Sequence, residues 1–131
     1  MNDTTPHATP TPGKYRLVVG NVIDVPVKGV LKDGSRHLTF NFSVQARRLS
    51  LEELRDIATG RADGLLRDFL LDNIHDWRGQ RLVLDEAGQH AAFSREALDC
   101  LLDLAGMEQS VYVAYMQALQ IGETDAGRRG N

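Results

Sequence analysis

The side chains of this chain that could do chemistry are four histidines, one cysteine, an adjacent acidic pair and two serines set before helical patterns. A zinc site draws His and Cys from a short, regular spacing that puts them on one face of an element. His7, His37, His75 and His90 fall in different segments, and Cys100 stands alone. The sequence therefore predicts neither a metal site nor any cofactor. Cys100 lies among Leu98, Leu101 and Leu102 and reads as a small buried hydrophobe. Asp85-Glu86 could be imagined as an acid pair for hydrolysis, but adjacent acids before a glycine read as a solvent-facing turn. Ser50 and Ser94 read as helix caps, and no Gly-x-Ser-x-Gly elbow or phosphate-cradling glycine loop occurs. No catalytic residue is predicted, and the chain is expected not to be an enzyme.

Charge narrows the partners. Fifteen Lys/Arg stand against eighteen Asp/Glu, a net charge of -3. A strong sequence-independent grip on nucleic acid needs clustered cations, and only Arg47-Arg48 and Arg128-Arg129 form dense basic spots. Phe40 and Phe42 lie two apart, as a base-stacking platform would require, but share the parity of Leu38 and Val44, which marks a core face. No nucleic acid is expected as partner. No apolar run approaches the length that crosses a bilayer, and the first residues lack the basic start and apolar stretch of a secretory leader. No membrane partner and a cytoplasmic site of action are expected; a single cysteine fits a reducing compartment.

The elements that would position these residues follow from periodicity. Residues 1–13 and 123–131 are too polar to bury surface against their ordering entropy and read as disordered tails. Residues 14–122 read as one α+β domain, with strands over 14–48 and mainly helices over 50–121. Lys14 to Gly20 is rich in β-favouring residues and is predicted as a strand. Asp33-Gly34 between two alternating segments predicts an antiparallel hairpin. Val25, Val27 and Leu31 form one buried set, and Leu38, Phe40, Phe42, Val44 and Ala46 the other. Pro26 has no amide hydrogen to give a ladder, so its arm is expected at an edge or a bulge.

At Ser50 the period changes. Ser50 and Glu53 fit a capping box, and Gly60 a helix stop. A second helix is predicted from Ala62 to Trp77, with Leu65, Leu66, Phe69, Leu70, Ile74 and Trp77 as its apolar stripe. Arg78 to Phe93 reads as a small hairpin or ordered loop. A third helix should follow Ser94, with Ala97, Leu98, Leu101, Leu102 and Ala105 inward and Gly106 as its stop. Met107 to Ile121 reads as the last of about four helices, ended by Gly122. It is apolar almost all round, which leaves two uses open: a central core helix, or a helix covered by another chain. Phe40, Phe42, Phe69, Trp77 and Phe93 are the expected structural core.

Some of these residues also stand in a familiar order. The stretch Gln45 to Leu54, QARRLSLEEL, resembles the strand-to-helix junction of phage tail assembly chaperones. Trp77 then Gly79, Asp85-Glu86-Ala87-Gly88, Phe93-Ser94-Arg95-Glu96-Ala97-Leu98, Leu101-Leu102 and the closing Val113-Ala114-Tyr115-Met116-Gln117-Ala118 resemble that family's second half. The resemblance covers roughly Leu38 to Leu119, in motifs that are individually weak. The chain departs from the family pattern at Gln80 to Leu84, which lengthen a loop, and at Ala91-Ala92, where a proline is expected before Phe93.

The resemblance implies a non-enzymatic protein of the host bacterial cytoplasm that holds the helical tape measure protein soluble and is absent from the mature virion. It also implies a contact with the major tail protein, through a longer form made by a frameshift in related phages. A homo-oligomer is compatible with such a role, because many weak copies suit a long client. Tyr112, Tyr115 and Met116 are the residues expected to meet a partner. The competing expectations are a tail-completion or head–tail joining protein retained in the particle, a small regulatory or nucleic-acid-binding domain, and, most distant, an enzyme.

Overall fold

The computed structural model describes residues 14–61 and 64–122; the two tails and the start of the second predicted helix, Ala62-Asp63, lie outside them. The fold is α+β, with strands β1 (Val22–Asp33) and β2 (Arg36–Arg47), helices α1 (Leu51–Ala58) and α2 (Leu66–Asn73), strand β3 (Ile74–Arg78), and helices α3 (Arg95–Leu102) and α4 (Met107–Ala118). The strands form one antiparallel sheet in the order β1-β2-β3.

The hairpin forms as its alternation predicts. Asp33 pairs with Arg36 across the two-residue turn Gly34-Ser35, and Gly34 takes the positive φ of 64° that such a turn needs. Ile23, Val25 and Val27 on β1 and Phe40, Phe42, Val44 and Ala46 on β2 are buried on one face, under the helices. Pro26 sits on the edge strand, where a missing donor costs nothing to the ladder. Leu38 departs from the expectation: it has the core parity but is 45% exposed, because the hairpin extends past the helices that cover its other half.

Lys14 to Gly20 is not a strand. Tyr15, Leu17 and Val18 project into solvent, and the segment joins no ladder. Its end is tied down by Arg48, whose backbone amide donates to the Asn21 carbonyl at 2.6 Å and whose Nε donates to the Gly20 carbonyl at 3.0 Å. β propensity expresses a fit to neighbouring strands, and here no neighbour is supplied.

The predicted helix over Ala62 to Trp77 is instead a short helix running into a strand. Ile74 and Trp77 are both buried, three residues apart, a spacing that reads as helical. A β-bulge produces it here: Trp77 pairs with Val44, Asp76 with Gln45 and Ile74 with Ala46, leaving His75 as the extra residue. Both apolar side chains thereby point inward from one strand.

α1 ends at Gly60 in a Schellman motif, with φ of 76° at Gly60 and bonds from Gly60 and Arg61 back to Ile57 and Asp56. The capping box at Ser50 and Glu53 is present in both directions. α3 opens on Ser94, whose hydroxyl accepts from the Ala97 amide at 3.0 Å. It closes at Leu102, so Ala105 lies outside it and is exposed, and Gly106, at φ 91°, opens α4 rather than stopping α3. Cys100 is exposed, not buried, because Leu98, Leu101 and Leu102 already fill the inward face.

Candidate interaction surface

α4 decides where a partner could sit. Met107, Val111 and Tyr115, spaced four apart, form its buried line against the sheet. Tyr115 was expected to meet a partner, but it is fully buried: its ring stacks at 5.8 Å on Phe69 and its hydroxyl donates to the Arg47 carbonyl at the end of β2. Burial, in competition with the nearby Arg47 charge, pushes the Tyr115 hydroxyl up to about 12. Tyr112 and Met116 are half-buried beside that line, and Val113 next to them is exposed. Tyr112 meets Phe69 edge-on at 6.3 Å. The outer strip of α4 is therefore Tyr112, Val113 and Met116, without Tyr115.

Where Tyr115 meets the end of β2 lies a polar junction that periodicity does not reveal. Arg47 grips Glu53 with both terminal guanidinium nitrogens, at 2.6 and 3.2 Å, and its Nε donates to Asn73 Oδ1 at 2.9 Å. Asn73 is buried and donates to the Phe69 carbonyl at 2.8 Å. Glu53 also accepts from the Ser50 amide. One arginine thus links β2, α1, the end of α2 and, through its carbonyl, α4. The hydrogen bond from Arg47, with its charge behind it, holds the Glu53 carboxyl below its usual range, and the same bond raises Arg47.

Trp77 and Phe93 meet edge to face with centroids 5.3 Å apart. Trp77 and the hairpin's Phe40 and Phe42 are buried, while Phe69 and Phe93 are half-buried and packed against the core. The long loop after Trp77 is organised by buried Gln80. Its Oε1 accepts from the Leu82 and Val83 amides at 3.0 and 2.8 Å, and its Nε2 donates to the Val83 and Ala91 carbonyls, each at 3.0 Å. A single side-chain amide thus meets the Leu82 and Val83 backbone, which a polar letter in an apolar run gives no reason to expect. Asp85 Oδ1 accepts from the Ala87 and Gln89 amides, so this acid serves its own turn.

A second arginine ties the helices together. Arg67 on α2 meets Glu108 at 2.7 Å, Asp99 at 3.3 Å and Asp103 at 3.5 Å, and donates to the Leu102 carbonyl at 3.0 Å.

Among the described residues no group of three His, Cys, Asp or Glu could hold a metal ion, and no helix is long and apolar enough to cross a membrane. Among the described residues, the clusters around Arg47 and Arg67 are ion pairs that join separate elements. Comparison of the chain with protein-family models, curated proteins and solved structures found no match.

Proposed function

We propose that this chain is a tail assembly chaperone of a long-tailed bacteriophage, which acts without catalysis by binding the tape measure protein and keeping it soluble. The observation that carries the reading is the outer strip of α4, where Tyr112, Val113 and Met116 stay accessible after the core side of the helix is filled. An amphipathic helical client docks on a strip of this kind, and methionine adapts to a varied apolar partner. The order of motifs from Leu38 to Leu119 supports the same reading. The chaperone acts in the host cytoplasm and leaves as the major tail protein closes round the tape measure.

The test is copurification from infected or induced cells. Tagged chain should bring down the tape measure protein before tails assemble, and mass spectrometry of purified particles should find the chain missing. A chain retained in the particle would instead fit a tail-completion or head–tail joining protein, and overturn the chaperone reading.

A further inference from the structure

β1 is a twelve-residue edge strand, paired with β2 on one side and with no described strand on the other. The hairpin turn fixes which of its backbone groups face outward. Asp33 and Arg36 flank a two-residue loop and so form a hydrogen-bonded pair, and every second residue of β1 back to Ile23 does the same with β2. Val22, Asp24, Pro26, Lys28, Val30 and Lys32 therefore direct their backbone groups away from β2. Pro26, with no N–H to give, fits only this outward phase. An unpaired row of this length is a template for another strand.

The segment just before β1 has the composition of a strand and nothing to pair with. Tyr15, Leu17, Val18 and Val19 are all exposed. Between Val19 and Val22 stand Gly20 and Asn21, a two-residue loop of the kind that closes a hairpin. A hairpin closed there would make Val19 and Val22 its first hydrogen-bonded pair, and Val22 has the outward phase that such a pair requires. Leu17 would then bond Asp24, and Tyr15 would lie opposite Pro26. In that register Val19 and Tyr15 stand beside exposed Val22 and Pro26, on the sheet face away from the helices. Arg48 holds the Asn21 and Gly20 carbonyls, so the β1–β2 ladder runs up to this loop. Gly20 lacks the positive φ that a two-residue hairpin loop needs, so the arrangement described is the open one.

We propose that Lys14–Val19 folds back on the outer edge of β1 of its own chain as a fourth strand, a strap hinged at Gly20. The occupant is this segment because its phase matches the edge, and because a two-residue connection holds it there at an effective concentration that a separate chain does not reach. Closure pairs the outward N–H and C=O groups of Val22 and Asp24 and covers Val22 and Pro26. The helix-proximal half of β1 is thereby removed as a template for edge-to-edge pairing. Glycine at position 20 supplies the hinge, since it reaches positive φ without the strain that a Cβ brings. This inference concerns the chain alone and does not rest on the client proposed above.

Amide hydrogen exchange and NMR of the full chain test it. The Leu17 and Asp24 amides should exchange at least about tenfold more slowly than in an unfolded chain. Cross-peaks between Hα atoms should join Val18 to Ile23 and Arg16 to Val25, the non-hydrogen-bonded pairs of the closed register, whose Cα atoms approach to about 4.5 Å. In the open arrangement a Cβ on Gly20 would meet nothing within 4 Å, so Gly20→Ala leaves that form untouched. In the closed one it is strained, and it should lower the protection about tenfold. Leu17→Pro, which removes the donor to the Asp24 carbonyl, should abolish the cross-peaks while the amides of β2 stay protected. Protection should not change with protein concentration, because the contact lies within one chain. Free exchange of the Leu17 and Asp24 amides in wild type, protection that rises with concentration, or variants as protected as wild type would each overturn the proposal.

Discussion

The hydroxyl of Tyr115 donates to the carbonyl of Arg47, 68 residues earlier in the chain. That bond fastens the last helix to the end of β2, beside the side chain through which Arg47 holds α1 and α2. Tyr115→Phe should keep the ring's packing on Phe69 and lose about 1 kcal/mol at neutral pH. The hydroxyl's ionisation adds a second signature. Its value is raised to about 12 in the fold from 10.0, so the stabilisation it carries is complete below pH 10 and is lost as pH rises toward 12. Urea unfolding at neutral pH and near pH 11 checks both: wild type should lose stability across that interval by more than Tyr115→Phe does. Parallel alkaline slopes for the two proteins would place the hydroxyl in water.

Gln80 holds the first part of the loop after Trp77, through bonds to Leu82, Val83 and Ala91. Gln80→Leu fills similar volume but leaves the Leu82 and Val83 amides without their acceptor, while the Val83 and Ala91 carbonyls keep the bonds from the Ala91 amide and Trp77 Nε1. It should cost about 2–3 kcal/mol. Hydrogen exchange localises the effect: the amides of Leu82 and Val83 should lose protection while those of β2 keep theirs.

Gly29 is needed for the ring opposite it rather than for its own backbone angles. A Cβ built there would lie 2.7 Å from Phe40 Cζ, and Phe40 is itself buried and packed on Phe42 at 6.0 Å. Gly29→Ala should destabilise the protein by about 1–2 kcal/mol through displacement of that ring. Adding Phe40→Leu should shrink the penalty of the alanine, and thermal unfolding of the four proteins gives the coupling directly.

Much of the architecture is written in local pattern. The hairpin follows from alternation and Asp33-Gly34, and α1 from the reciprocal pair Ser50 and Glu53, because these signals are local and the physics that reads them is local too. β3 was hidden because the bulge at His75 gives Ile74 and Trp77 a three-residue spacing that a strand does not normally show. Cys100 is exposed although its leucine neighbours in sequence suggest burial, because those three point one way round the helix and it points the other. Tyr115 was expected outward because α4 is apolar on so many sides that periodicity alone does not choose the inner line. The Arg47 and Gln80 networks join residues far apart in sequence or serve backbone groups, and neither leaves a spacing to read.

The most direct measurement is the solubility of the tape measure protein co-expressed with this chain. Wild type should hold the tape measure in the soluble fraction. A variant carrying Tyr112→Ser, Val113→Asp and Met116→Ser, shown by circular dichroism to be folded, should leave most of it in the pellet. A tape measure equally soluble without the chain, or equally well held by the folded triple variant, would contradict a client surface on α4.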